Sequence, residues 1–513
     1  MGSKEATSAK DRARTGAPRE VEMKLSVDPD ALADVLKHPL VAKARQAPDQ
    51  SGEFQAVYYD TDEQDLRRAG LSLRVRRHRD AWIQTVKADG HAKGPVLDRD
   101  EWECEVAGEA LDWRAIERTA LGELLNGDEH LRSRIRPAFT VRTERQAFLV
   151  ERDRARIELV LDRAEIRRDE RILRFGEVEL ELKSGNASSL FAVALDLAAA
   201  APVRLSLATK SGRGYELLGP PEAVKAERIA LQPGLTSAEA FQTIARSCLF
   251  QAVRNEALVR EHRIPEAVHQ FRVGLRRLRA AVSQFSDVLS DEESRSMRAE
   301  LRWMNHSLGP VRDLDVLVAR LRETPDHEAS LAAAERRRQE AYDELLARMD
   351  EPRFRCGMLA AAAWIEAGHW LTAADAALRD RREEPVEERA RDELAKRWKR
   401  VLKRARRLAE LDPEARHEVR IEIKKLRYGT EFFAGLFPGK KAKKRRKHGL
   451  KALEELQDVL GALNDIAVGG HLLIPAASED RGAAQRDERR ARELLGRAEE
   501  LYDELAAAKP FWA

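Results

Sequence analysis

The chain has 513 residues, of which 43% are hydrophobic and 35% charged, with a formal net charge of +3. That length predicts more than one domain, and that density of charge excludes a bundle of membrane-spanning helices. The longest apolar stretch, Leu190 to Val203, falls short of the roughly 18–20 residues a span needs and is interrupted by Asp196. Three cysteines, Cys104, Cys248 and Cys356, stand far apart with no metal-ligand spacing, which predicts a reducing, cytoplasmic setting without disulfides.

Residues 1–18 lack the apolar core of a secretory signal and are expected to form a disordered tail. A first domain is expected over 19–219. Seven runs there alternate with period two, the mark of strands: REVEMKLSV, GLSLRVRRHR, AWIQTVKA, DEWECEVAG, RQAFLVERD, RIELVLDRAEI and EVELELK. Helical patterns intervene at Pro29–Ala42 and Ala187–Ala200. Residues 220–236, with Pro220, Pro221, Pro233 and Gly234, read as a linker, and Thr236-Ser237 followed by Glu239 marks a helix start. From 237 to 513 the apolar spacing is helical throughout. The expected fold class is therefore α+β and multidomain: an N-terminal antiparallel β-tunnel or barrel with flanking helices, then an all-α domain of two pseudo-symmetric helical bundles.

Side chains two apart on a strand share a face. Glu20, Glu22 and Lys24 therefore point one way, as do Arg74 with Arg76, Glu101 with Glu103 and Glu105, and Glu177 with Glu179, Glu181 and Lys183; the residues between are largely apolar. For any one strand, a charged face in water is the ordinary outcome. Several such strands closed into a barrel with the charges inward would instead line a tunnel of mixed sign. Its carboxylates would suit hard divalent cations such as Mg²⁺ or Mn²⁺, and its arginines and lysines the oxygens of a phosphate chain.

The helical half carries a repeat. His269, Arg272, Arg276 and Arg279 are matched by His417, Arg420, Lys424 and Arg427, each 148 residues on, and Leu308-Gly309 with Asp313 by Leu460-Gly461 with Asp465 at an offset of 152. A solvated basic face is the usual fate of one such helix. Two copies, with further basic runs over 396–407 and 440–447, favour a shared site for a long polyanion. Aromatic residues make up only 5% and are not interleaved with the basic runs, so nucleic acid is a poor fit and phosphates without bases a better one.

Two resemblances follow from these residues. Glu20-Val-Glu22-Met-Lys24, Tyr58-Tyr59-Asp60-Thr61, Leu71-x-Leu73-Arg74-x-Arg76, Lys87, Arg99-x-Glu101-x-Glu103, Arg145, Asp162, Glu177-x-Glu179-x-Glu181 and Lys210-x-x-Arg213-Gly-Tyr215 occur in the order of the CYTH superfamily, the triphosphate tunnel metalloenzymes, over roughly Arg19 to Gly219. One departure is Thr143-x-Arg145, where related sequences often carry Lys-x-Arg. The resemblance implies that Lys24, Arg74, Arg76, Arg145, Lys210 and Arg213 clamp a triphosphate. Glu20, Glu22, Glu101, Glu103, Asp162, Glu177, Glu179 and Glu181 are the carboxylates on offer to Mg²⁺ or Mn²⁺. Lys87, acting with Glu20 and Glu22, orients or activates water. From Ser237 onward, VHQFRVGLRRLRA, LGPVRDLDVL, RHEVRIEIKKLRY and LQDVLGALNDIAV resemble the CHAD domain, which implies polyphosphate binding through the His/Arg repeat. The pairing implies an inorganic triphosphatase in the cytoplasm, associated with polyphosphate granules. The alternatives are a non-catalytic polyphosphate-binding protein, or a tunnel enzyme acting on thiamine triphosphate or cyclising ATP.

Overall fold

The computed structural model describes residues 19–88, 94, 97–217, 219–323, 328–472 and 481–512. The expected tail over 1–18 lies outside these residues, and the side chains of Glu20, Arg99 and Asp465 lie outside the described ones. Ten strands form one antiparallel sheet: β1 (Arg19–Val27), β2 (Arg45–Gln46), β3 (Gly52–Asp60), β4 (Leu71–His78), β5 (Ala81–Ala88), β6 (Leu97–Val106), β7 (Arg136–Arg152), β8 (Ala155–Arg168), β9 (Arg171–Ser184) and β10 (Arg204–Ser206). Neighbours run β1-β6-β5-β4-β3-β7-β8-β9, and β9 returns to β1, which closes the ring. The first residues of β1, Arg19 to Glu22, pair with β6; Lys24 to Ser26 pair with β10; and Glu22 to Val27 pair with β9 on the other edge. A closed sheet has no unpaired edge and must turn one face inward.

The register shows which face that is, because directly opposed residues share one. Lys24 lies opposite Glu179, Glu177 opposite both Asp162 and Ser26, Lys87 opposite Glu101, Arg74 opposite Tyr58 and Thr85, and Arg145 opposite Asp162. The charged faces are therefore the inner ones. The intervening Met23, Leu25, Leu73, Val75, Val178 and Leu180 are fully buried outside the ring. Val57, Leu73, Val75 and Val86 form one core with Ile116, Leu121 and Leu125 from the helices that follow β6. The helix Ser188–Ala200 packs on β9 with Leu190, Val193, Ala194 and Leu197 fully buried.

Two parts of this domain differ from the sequence reading. β3 and the first half of β7 do not stand out in the sequence, because β3 becomes buried on both faces: Val57 and Tyr59 in the outer core, Ala56 and Tyr58 in an inner cluster with Phe139 and Val141. The helix expected over Pro29–Ala42 is broken into Pro29–Ala31, Leu32–Lys37 and Pro39–Ala42, since Pro39 forces its predecessor His38 into an extended conformation.

The helix Ser237–His262 opens with a full capping box: Thr236 Oγ1 accepts from Glu239 N at 3.2 Å, and Glu239 Oε2 accepts from Thr236 N at 2.8 Å. The two repeat helices, Pro265–Gln284 and Pro413–Phe432, have the same length, and each starts on a proline. Val268, Phe271, Leu275 and Leu278 fill the core side of the first, and Val419, Ile423 and Leu426 that of the second. By contacts the chain forms two compact units. One comprises Met1–Lys225, Leu249–Val273 and Trp303–Ala367; the other comprises Ala226–Cys248, Gly274–Arg302 and Gly368–Ala513. The first unit thus joins the barrel to helical segments; the Arg355 guanidinium donates to the Ala198 carbonyl at 3.1 Å.

A buried acid in the first unit gives a testable pH dependence. Glu256 is 4% exposed, and burial pushes its carboxyl up to about 7, even though Arg260 and Arg204 act to lower it. Folding therefore favours the protonated form: this stabilisation is complete below the ordinary value of 4.5 and is lost as pH rises through about 7. The difference corresponds to about 3 kcal/mol, to order of magnitude. Glu256→Gln is expected to raise Tm at pH 8 and to change it little at pH 5. Thermal melts showing equal shifts at both values would refute this.

Candidate active site in the tunnel

The inner wall carries both signs, with its buried carboxylates gathered in one place. On one side stand Asp162, Glu177 and Glu179, with one carboxylate oxygen from each within 4.8 Å of the others. Asp162 and Glu177 are wholly buried, and Glu179 nearly so. β8 and β9 hold them, with Asp162 and Glu177 directly opposed. Three cations reach into this group. The Lys210 ammonium lies 2.8 Å from Asp162, 2.6 Å from Glu177 and 2.9 Å from Glu179. Lys24 contacts Glu179, lies 3.2 Å from Glu22 and 3.7 Å from Glu177. Arg145 donates two bonds to Asp162, at 2.8 and 2.6 Å, and one to Glu179 at 2.9 Å.

These neighbours set the charge states. Burial would raise Glu179, but Lys210, Lys24 and Arg145 outweigh it and hold the carboxyl well below its ordinary value. Asp162 is also lowered, by Lys210 and Arg145 against burial. Glu177 goes the other way: burial raises it, and Lys210 and Lys24 do not reverse that. Burial acts against the ammonium of Lys24, yet Glu179, Glu22 and Glu177 raise it above the ordinary lysine value.

The facing wall is basic. Lys87 pairs with Glu101 at 2.8 Å. Arg74 lies 3.8 Å from Glu101 and from Glu103, and Arg76 3.8 Å from Glu103. Glu103 also accepts a bond from Thr85 at 3.0 Å. Arg76 and Arg145 both lie over the Phe54 ring, 5.4 Å from its centroid. Burial and then the neighbouring Arg74 push Arg76 down to about 10, with Glu103 opposing and Arg145 adding to the shift. Crowded cations of this kind are stabilised by a polyanion.

Other expected site residues lie outside the carboxylate cluster. Glu181 pairs with Lys183 at 2.7 Å. Glu103 is 42% exposed. The Arg213 guanidinium lies 4.6 Å over Phe175 and 3.9 Å from Glu261. Thr143, the departure from the family pattern, is buried and lies opposite Phe54 and Ala164. Two aromatic members of the wall were not singled out in the sequence as site residues, Phe54 and Tyr58. Arg74 draws the Tyr58 phenol below its ordinary value against burial, which acts to raise it. They share a face two positions either side of Ala56, a signal that reading β3 as a strand would have provided.

Lys210 begins the short helix Lys210–Glu216, and its placement depends on a latch. The Tyr215 hydroxyl donates to Asp60 Oδ2 at 2.6 Å, with both residues buried. Asp60 also accepts from the backbone N–H groups of Thr61, Leu66 and Arg67. Gly214 permits the close approach, since a Cβ there would lie 2.2 Å from the Phe139 ring. Tyr215→Phe is expected to lower stability by about 1–2 kcal/mol, and calorimetric melts read the loss; an unchanged Tm would show that the latch does not hold this helix.

In the helical part, the first arginine of each copy of the repeat donates to a backbone carbonyl. Arg272 Nη1 donates to the Gly309 carbonyl at 3.2 Å, and Arg420 Nε to the Gln457 carbonyl at 3.4 Å, near Gly461. A Cβ on Gly461 would approach Arg420 to 3.0 Å. Arg276 and Arg279 are half-buried with Arg302 close by: burial, then Arg302 and Arg276, lower Arg279. Arg427 pairs with Glu431 at 2.7 Å. His417 is exposed, His269 is half-buried, and Lys424 is half-buried on the same stripe as Arg420 and Arg427.

Comparison with known proteins agrees with this geometry. Residues 18–215 match the model of the CYTH domain, and residues 243–474 match that of the CHAD domain. The chain is a CYTH domain followed by a CHAD domain. An inorganic triphosphatase of Haemophilus influenzae (strain Rd) is 27% identical over 201 residues, 39% of this chain and 55% of that protein. The chain therefore spans little more than half the length of the curated relative. The crystal structure of a CHAD domain from the plant Ricinus communis covers 56% of this chain and 98% of its own, at 29% identity and a TM-score of 0.46. HpAC1 from Hippeastrum, named an adenylyl cyclase and showing a dominant triphosphatase activity, covers 38% of this chain and 95% of its own, at 17% identity and a TM-score of 0.29. Among the described residues, no helix is long and apolar enough to cross a membrane.

The donor set of the CYTH tunnel fits a divalent cation. Its donors are hard carboxylate oxygens, and Glu177 Oε2 is buried with no hydrogen-bond partner among the described residues. The CYTH family implies use of a divalent metal, and among the described residues Asp162, Glu177 and Glu179 form a group that could hold one.

Proposed function

We propose that the chain is a divalent-metal-dependent inorganic triphosphatase, cleaving triphosphate to pyrophosphate and phosphate, with a CHAD domain that binds polyphosphate. The observation that carries this reading is the closed barrel whose inner wall faces three clustered carboxylates toward a bank of arginines and lysines. Asp162, Glu177 and Glu179, with Glu22 beside Lys24 and Glu20 earlier on β1, are the ligand set for Mg²⁺ or Mn²⁺. When bound, that ion neutralises charge on the phosphate chain.

The side chains of the chain supply the rest. Arg74, Arg76 and Arg145 bind phosphate oxygens along the basic wall. Lys24 and Lys210, now held by carboxylates, are placed to turn to the substrate as those carboxylates take up a cation. Lys87, oriented by Glu101, positions the attacking water in line with the scissile bond. Burial of the site strengthens each of these charge contacts. A panel of triphosphate, ATP and thiamine triphosphate, each with Mg²⁺ or Mn²⁺, tests the proposal. Phosphate release should be fastest from triphosphate, and no release from any of the three would sink it.

For the CHAD domain, the support is the basic stripe repeated at equal helical phase. Arg276→Glu combined with Lys424→Glu is expected to weaken polyphosphate binding about tenfold or more, with a shallower salt dependence. Titration at two ionic strengths reads both. Unchanged binding would leave the repeat a purely structural device.

A further inference from the structure

A second charged cavity lies beside the tunnel carboxylates, within the same compact unit. It has a volume of about 300 Å³ and is walled by the ends of β1, β9 and β10, by the helix Lys210–Glu216, and by residues 253–261 of the helix Ser237–His262. Ser26 lines it and lies opposite Glu177 in the register; Ser206 lines it and lies opposite Lys24. The cavity therefore adjoins the tunnel at the level of its acidic cluster.

Five arginines, Arg174, Arg204, Arg213, Arg254 and Arg260, line this space beside the acids Asp28, Glu216, Glu256 and Glu261, and the exposed Arg174 is paired with Glu165 at 3.0 Å. Their partners do not balance them evenly. Arg254 is paired with Glu216 at 2.6 Å, but Arg204 and Arg260 share the single carboxylate of Asp350. Arg213, 6% exposed, has Glu261 only at 3.9 Å. The Nε atoms of Arg204 and Arg213 and Nη1 of Arg260 are buried with no hydrogen-bond partner among the described residues. Buried donors on charged groups are costly to leave unmet. Burial, then repulsion from Arg260, pulls Arg204 below the ordinary arginine value, with Asp350 and Glu256 opposing. Glu256, whose carboxyl is pushed up to about 7 by burial, carries less than a full negative charge near neutrality. A guanidinium cluster around a small cleft, with orphaned donors, matches a compact tetrahedral oxyanion with several acceptor oxygens.

We propose that this arginine pocket is a second anion site, distinct from the tunnel, which takes a phosphate group either as free phosphate or pyrophosphate or as the end of a phosphate chain. It does not depend on turnover in the tunnel. Because Arg213 and Lys210 lie one turn apart on the same short helix, an occupied pocket is coupled to the ammonium that holds Asp162, Glu177 and Glu179.

The test is calorimetric titration of the full chain, in EDTA and at fixed ionic strength, with pyrophosphate and separately with polyphosphate of defined length. An Arg74→Ala background weakens the tunnel. Into it are placed Arg260→Gln and, separately, Ala257→Glu, which puts a carboxylate on the pocket wall at an exposed helical position and spares the fold. The expected result is pyrophosphate binding that survives Arg74→Ala and falls roughly tenfold or more with either pocket change. Loss for both probes assigns the site to the phosphate group in general, loss for pyrophosphate alone to the free ion, and loss for polyphosphate alone to chain ends. If neither probe loses affinity, or if Arg74→Ala alone abolishes pyrophosphate binding, the proposal is overturned.

Discussion

Glu177→Gln is expected to lower the triphosphatase turnover proposed for the tunnel by about 10²–10³-fold while leaving the fold intact. Glu177 is wholly buried, faces Lys210 at 2.6 Å and belongs to the only carboxylate cluster of metal-holding geometry among the described residues. The amide keeps the volume and removes the charge. Burial already raises the Glu177 carboxyl, so a neutral group there has little cost for folding. The loss should therefore appear in kcat and in the affinity for Mn²⁺, read by its paramagnetic signal, with Tm held or slightly raised. Glu181→Gln is the matched control: Glu181 shares the strand and face but pairs with Lys183 at 2.7 Å, and it should cost less than tenfold. Equal effects at the two positions would remove Glu177 from the metal site.

Arg145→Ala is expected to destabilise the barrel by about 3–5 kcal/mol as well as to disable it. The guanidinium is the bidentate partner of Asp162, which is wholly buried, and also bonds Glu179. Removing it leaves two carboxylates with only Lys210 and Lys24 between them, and buried charge without a partner is among the costliest changes a fold can suffer. Arg145→Lys should recover part of the stability but not the fork geometry, so activity should stay low. Denaturant melts of the three forms give the order wild type, Lys, Ala. An alanine variant as stable as wild type would show that the inner charges do not depend on one another.

The strands with clean alternation were legible because one face is polar and the other apolar: REVEMKLSV and AWIQTVKA match β1 and β5 residue for residue. β3 was not, since Val57 and Tyr59 are buried outside the ring and Ala56 and Tyr58 inside it, which erases the period. The candidate charges could be picked out one by one, yet their partners could not. That Lys24 meets Glu179, or that Tyr215 reaches Asp60 across 155 residues of sequence, follows only from strand register and chain closure.

The sequence by itself determined the amphipathic strands, the helical half, the duplicated His/Arg stripe and the order of the family motifs, because each is written in local periodicity and spacing. Tertiary structure alone decided that the charged faces turn inward, since only the β1–β9 pairing closes the sheet. It also divided the charges between an acidic cluster at Asp162, Glu177 and Glu179 and a basic wall around Phe54, and it sent Arg213 to a separate pocket with Arg260. The physical reason is the same in each case: burial and pairing are properties of residues distant in sequence, and no local pattern records which distant neighbour a side chain will meet.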